Sequence, residues 1–162
     1  GHAVPLTYTT LVLAARQTTP GGFSTVDLSL TYGGFATGAA DMPRTGSAAY
    51  IGPAFGQYWL NSANERELLD GAVSVTANFA NNAVDARIFL NRFGHSTLTL
   101  SGTGAISSNL FEGVLSGKGY GAADLTGRFA GQFMGPGAAE LGLRFDVTDG
   151  SAVIMGVGAA RK

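Results

Sequence analysis

From Leu125 to Phe133 every second residue is either bulky and apolar or a glycine: Leu125, Gly127, Phe129, Gly131, Phe133. A period of two is the period of a strand, and it places all five on one face. The glycines and the Gly135-Pro136-Gly137 that follows make poor helix. Glycine on the face that carries the phenylalanines leaves space beside each ring. It also lets a strand coil sharply enough to close a barrel. At Gly135-Pro136-Gly137 the chain turns, since proline fixes φ and glycine permits positive φ. Glu140 then begins a return strand, with Leu141, Leu143, Phe145 and Val147 alternating against Glu140, Gly142, Arg144 and Asp146.

The same alternation recurs along the chain. Ser24–Tyr32 sets Val26, Leu28, Leu30 and Tyr32 against Asp27, Ser29 and Thr31. Residues 72–91 read as a β-hairpin: Val73, Val75, Ala77 and Phe79 face inward, Asn81-Asn82 turns, and Val84, Ala86, Ile88 and Leu90 return. Gly46–Phe55 is a weaker strand, limited by Pro53. The exception is Asn61–Gly71, where Ser62 and Glu65 have capping-box spacing and Gly71 could stop a helix. A short helix or loop insertion is therefore expected near residues 61–70. At most ten strand-like runs result, two of which merge or leave the sheet. The expected fold is all-β, an antiparallel up-and-down barrel of about eight strands, because closure removes exposed edges.

Composition agrees. Glycine is 25 of 162 residues, roughly twice the usual ~7%, and charged residues are 13%, about half the usual share. The net charge of −1 suggests neither nucleic acid nor an anionic membrane. Without cysteine there is no disulfide framework and no thiolate metal site. No apolar run approaches the ~18 residues of a membrane-spanning helix. Gly1-His2 reads as a tag remnant, with residues 3–162 as one barrel domain, and a native leader would have been removed.

Three stretches together resemble the β-barrel domain of the transferrin-binding protein B type of Gram-negative surface lipoproteins, a group that includes factor H binding protein and the hemophilins. They are Tyr32–Gly56, Gly71–Ile88 and Gly127–Phe145. In the last, Gly131, Phe133, Gly135, Pro136, Glu140, Gly142 and Phe145 fit the family's terminal signature. Met134 and Leu143 depart from it. The resemblance covers residues 32 to 162 and implies an eight-stranded barrel. It names no ligand, because such families vary their partners on loops.

Catalytic motifs are lacking: there is no G-x-S-x-G, no H-E-x-x-H and no phosphate loop, and the carboxylates are scattered. The chain is therefore expected not to be an enzyme. His95, beside Gly94, reads first as an exposed turn residue. Its functional alternatives are an axial haem ligand or a partner contact; no cofactor is expected unless haem is bound at His95. In an up-and-down barrel, connections near 16–23, 55–71, 92–96 and 118–122 share a rim. That rim carries Phe23, Phe55, Tyr58, Trp59, Phe93, His95 and Tyr120. Tyr58, Trp59, Phe93 and Tyr120 are the candidate contacts for a ligand or partner, since aromatics anchor interfaces. The alternative, favoured for Phe55 and Phe93, is that the rings plug the barrel end. A solid interior is preferred to a ligand cavity.

The resemblance implies a monomeric binding module, surface-anchored or secreted, that acquires iron, haem or another nutrient from a host or environmental protein or small ligand. A TonB-dependent receptor is a further expected partner. The alternatives are a haem or small-molecule carrier, and a structural or adhesive barrel of a larger surface protein.

Overall fold

The computed structural model describes residues 6–18, 25–60, 65–92, 94–119 and 123–162, with main chain alone at 15–18, 25–28 and 65. Ten strands follow in order: β1 (Thr9–Thr18), β2 (Thr25–Gly34), β3 (Ser47–Leu60), β4 (Glu65–Asn78), β5 (Ala83–Asn91), β6 (Leu98–Ser107), β7 (Leu110–Lys118), β8 (Asp124–Met134), β9 (Glu140–Thr148) and β10 (Ala152–Arg161). The last eight form a closed antiparallel barrel, β3 to β10 in sequence order, sealed by pairing of β10 with β3. Strands β1 and β2 leave the barrel as a separate two-stranded sheet. That hairpin lies against β9 and β10. Outward-facing Val157 and Ala159 of β10 are consequently only 3% and 0% exposed.

One expectation is corrected. Residues 65–70 are strand, and the described residues contain no helix. Strand β4 pairs with β3 from Ser47↔Asn78 to Leu60↔Glu65. The 61–71 sequence offers a capping box but only about two turns of helix, too few to be stable alone. Strand geometry instead sends Leu69 into the core, 1% exposed, and Leu68 outward. Strand β3 likewise runs through Pro53. The β10 ladder is unpaired beside it and resumes at Arg161↔Ile51, as expected where a residue lacks its N–H. The connection between β3 and β4 thus shrinks to residues 61–64, which, with residues 1–2, lie outside the described residues.

The other alternations hold. Val73, Val75, Ala77, Val84, Ala86, Ile88 and Leu90 all point inward at 0–1% exposure. Asn82 turns the hairpin at φ 52°. Side chains from all eight barrel strands fill the interior, and Phe133 is its aromatic hub, 5.0 Å from Phe111, 5.6 Å from Phe79 and 5.8 Å from Tyr50 between ring centroids. An apolar inside and an outer face bearing Ser, Thr, Asp and Arg is the reverse of a membrane-spanning barrel.

The glycine-phenylalanine pattern becomes a cross-strand pattern. Gly131 pairs directly with Phe111, Gly113 with Phe129, and Gly156 with Phe145. In each pair the ring lies over the opposite glycine. A Cβ added at Gly131 would stand 2.6 Å from Phe111 Cε2, at Gly113 2.7 Å from Phe129 Cε1, and at Gly156 2.8 Å from Phe145 Cε1. The space that glycine leaves on one strand is filled by the phenylalanine of the next.

Candidate functional site

Alternate connections of the barrel gather at each end. The β3–β4, β5–β6, β7–β8 and β9–β10 connections form one end, here the loop rim. The β4–β5, β6–β7 and β8–β9 turns form the other, the turn rim.

At the loop rim, period-two geometry separates two neighbouring aromatics. Tyr58 points inward and is 8% exposed. The Arg92 guanidinium lies 4.3 Å from its ring centroid, and Arg92 Nε donates to Glu67 Oε2 at 2.7 Å. The three side chains lid the barrel end with a paired charge. Trp59 points outward, with the Arg66 guanidinium 5.0 Å from its ring centroid. Gln57 Nε2 and Trp59 Nε1, on successive outward positions of β3, are buried donors with no acceptor. An unpaired buried donor costs about 1–3 kcal/mol, so such groups mark places where an acceptor from elsewhere would be welcome.

His95 stands exposed on the turn after β5, its backbone N–H donating to the Arg92 carbonyl at 3.0 Å. Phe23, Phe93 and Tyr120 lie outside the described residues. Phe55 sits mid-strand on the outer face, 37% exposed, rather than at the rim. The 16–23 connection belongs to the β1–β2 hairpin, not to the barrel. The loop rim also carries a Lys118–Asp124 ion pair at 2.5 Å. At the β9–β10 turn, hydrogen bonds from the Ala152 and Ser151 N–H groups hold the Asp149 carboxyl below its ordinary range. No group of three or more His, Asp or Glu able to hold a metal gathers among the described residues.

The signature residues divide between two jobs. Gly131, Phe133 and Phe145 build the core. Gly135, Glu140 and Gly142 seat the N-terminal hairpin on the barrel. Glu140, 4% exposed, accepts the backbone N–H groups of Thr7 at 2.6 Å and Tyr8 at 2.9 Å. The rings of Tyr8 and Tyr32 lie where Gly135 and Gly142 have no Cβ, an added atom standing 2.6 Å from Tyr8 Cγ and 2.8 Å from Tyr32 Cγ. Burial raises the Tyr32 pKa, and nearby Arg144 partly offsets the rise. Sequence reasoning missed this seat and the Tyr58–Arg92–Glu67 lid. Glu140 opening a strand after a turn was the one local sign that a buried partner existed.

A filled up-and-down barrel with an external hairpin leaves its rims and outer face as the surfaces open to a partner. Residues 42–162 match the family described as the C-lobe and N-lobe β-barrels of transferrin-binding protein B, and the chain belongs to that family. No curated protein sequence matches it significantly. Among solved structures it is similar to a double mutant of transferrin-binding protein B from Haemophilus parasuis Hp5, at 23% identity and a TM-score of 0.77, over 96% of this chain and 32% of that one. It is also similar to isotype 1 transferrin-binding protein B from serogroup B Neisseria meningitidis, at 12% identity and a TM-score of 0.63, over 99% and 36%. A third is the N-lobe domain of lactoferrin-binding protein B of Moraxella bovis, at 13% and 0.60, over 96% and 76%. The chain spans about a third of the length of the Haemophilus parasuis and Neisseria meningitidis transferrin-binding protein B chains it matches.

Proposed function

We propose that this chain is a non-enzymatic recognition barrel of a Gram-negative surface or secreted protein, and that it serves iron acquisition by binding an iron-carrying host protein. The reading rests on one observation: the family match runs through every strand of a barrel whose interior is already filled. Recognition must then fall on the exterior. Among the loop-rim candidates, Trp59 with Arg66 offers an outward aromatic and a cation, and Tyr58 holds the lid beneath them. Phe93, His95 and Tyr120 belong to the same rim by sequence. Relatives' names support the class of partner, as transferrin- and lactoferrin-binding proteins and a surface lipoprotein stand among the similar folds. A TonB-dependent receptor would be the next component to receive the iron.

Surface plasmon resonance of the immobilised chain against iron-loaded and iron-free transferrin and lactoferrin tests the reading. Saturable binding that Trp59→Ala weakens at least tenfold is expected. Binding to neither carrier would leave the structural or adhesive barrel as the better reading. For haem, exposed His95 would be the side chain offered as an axial ligand. A Soret shift abolished by His95→Ala would favour the carrier alternative.

A further inference from the structure

The geometry points to a second recognition site, at the turn rim, that takes a cationic side chain, a guanidinium or an ammonium, of a protein partner. A cavity of about 300 Å³ opens there between the β8–β9 turn and the segment that leads from the hairpin into the barrel. Tyr8, Phe35 and Pro136 give it apolar and aromatic walls, and Asp41 supplies a carboxylate. None of its lining residues is a lysine or arginine. Asp41 has no ion-pair partner among the described residues. Lys162, bonded to the same turn, is engaged with the Gly137 carbonyl at 2.6 Å.

The walls are fixed in position. Phe35 is 78% exposed, the most exposed large apolar residue among those described, yet its main chain is held on both sides. Its N–H donates to the Tyr8 carbonyl at 3.0 Å, and its carbonyl accepts from the Gly135 N–H at 2.8 Å. Two residues on, Thr37 is 2% exposed, and its Oγ1 donates to the Gly135 carbonyl at 2.6 Å. Asn109 Nδ2 donates to the Thr37 carbonyl at 2.7 Å. Asp41 is braced by its N–H on the Gly38 carbonyl at 2.9 Å. An exposed aromatic ring on a pinned backbone loses little freedom when a partner covers it, which is how interface anchors gain their strength. A cavity lined by aromatic side chains and one carboxylate suits a cation, attracted by ring and negative charge together. An uncharged apolar side chain would leave Asp41 to be desolvated without a partner.

The test uses the whole chain and small probes, and does not depend on transferrin or lactoferrin. Labelled protein is titrated with N-acetyl-arginine methylamide and with its uncharged citrulline analogue, following backbone amide shifts. Saturable shifts at Phe35, Ala36, Gly38, Asp41 and Gly135 are expected with the arginine probe. Both Asp41→Asn and Phe35→Ala, exposed positions that should leave thermal melting unchanged, should weaken binding by about fivefold. Equal affinity for the citrulline analogue would overturn the proposal, as would the absence of saturable shifts at these amides. Undiminished binding in folded Asp41→Asn would overturn it as well.

Discussion

Gly131→Ala should destabilise the barrel although it adds a single methyl group. The new Cβ would stand 2.6 Å from Phe111 Cε2 and 2.5 Å from the Gly142 carbonyl oxygen. Ordinary carbon–carbon contact is about 3.5–4.0 Å, so the ring must retreat by about 1 Å. It has little room, with Phe133 at 5.0 Å and Phe129 at 6.2 Å between centroids. The Gly142 carbonyl belongs to β9, which is paired on both sides, and cannot withdraw without stretching a ladder. Overpacking of this kind costs about 2–3 kcal/mol. For a chain of this size that is a fall in Tm of about 4–12 °C. Thermal unfolding followed by circular dichroism reads it directly. Phe111→Leu frees space over residue 131, so the double variant should be less destabilised than the sum of the two single changes, by about 1 kcal/mol. A Gly131→Ala melt within about 1 °C of the parent would refute the account of these glycines, and so would strict additivity.

Three further outcomes follow from the same geometry. Glu140→Gln replaces one acceptor of two charge-assisted hydrogen bonds with a donor and should cost about 1.5–3 kcal/mol; hydrogen exchange at the Thr7 and Tyr8 amides should accelerate first, and unchanged exchange there would argue against a carboxylate clamp. Tyr50→Phe should cost about 1 kcal/mol by leaving the buried Ala138 carbonyl without its 2.7 Å donor. Because burial raises the Tyr50 pKa from 10.0, its neutral form contributes stability that is intact below pH 10.0 and lost as pH climbs towards the raised value; the variant should show a shallower alkaline decline in a pH series of melts. Ser108→Gly relieves an exposed non-glycine residue at φ 58°, and its denaturant midpoint should rise by the equivalent of about 0.5 kcal/mol.

How legible the site was depended on how local each signal is. Which way Val73, Ile88, Leu143 or Phe129 points was readable because alternation depends only on a residue's own strand. The turn at Gly135-Pro136-Gly137 was readable for the same reason, and Gly135 and Gly137 take φ values of 73° and 61°. Residues 65–70 belong to a strand rather than to the expected helix or loop insertion because cap residues express a local preference, overruled by fourteen residues of pairing with β3. Tyr58 and Trp59 were grouped as rim aromatics, yet the strand continues through them and sends one inward and one outward. The cavity beside Phe35 was invisible, since its walls come from residues 7–8, 35–41 and 135–136.

The sequence by itself determined an all-β chain, a glycine-lined apolar face and a barrel as the way to bury it, because period-two patterning and turn chemistry are properties of neighbouring residues. Only the tertiary structure decided that β1 and β2 stay outside, that Glu140 clamps them to the wall, and that each inner phenylalanine of the three pairs covers a particular glycine. Those choices depend on cross-strand register, which is set by the closure of the whole sheet and is written in no single stretch of chain.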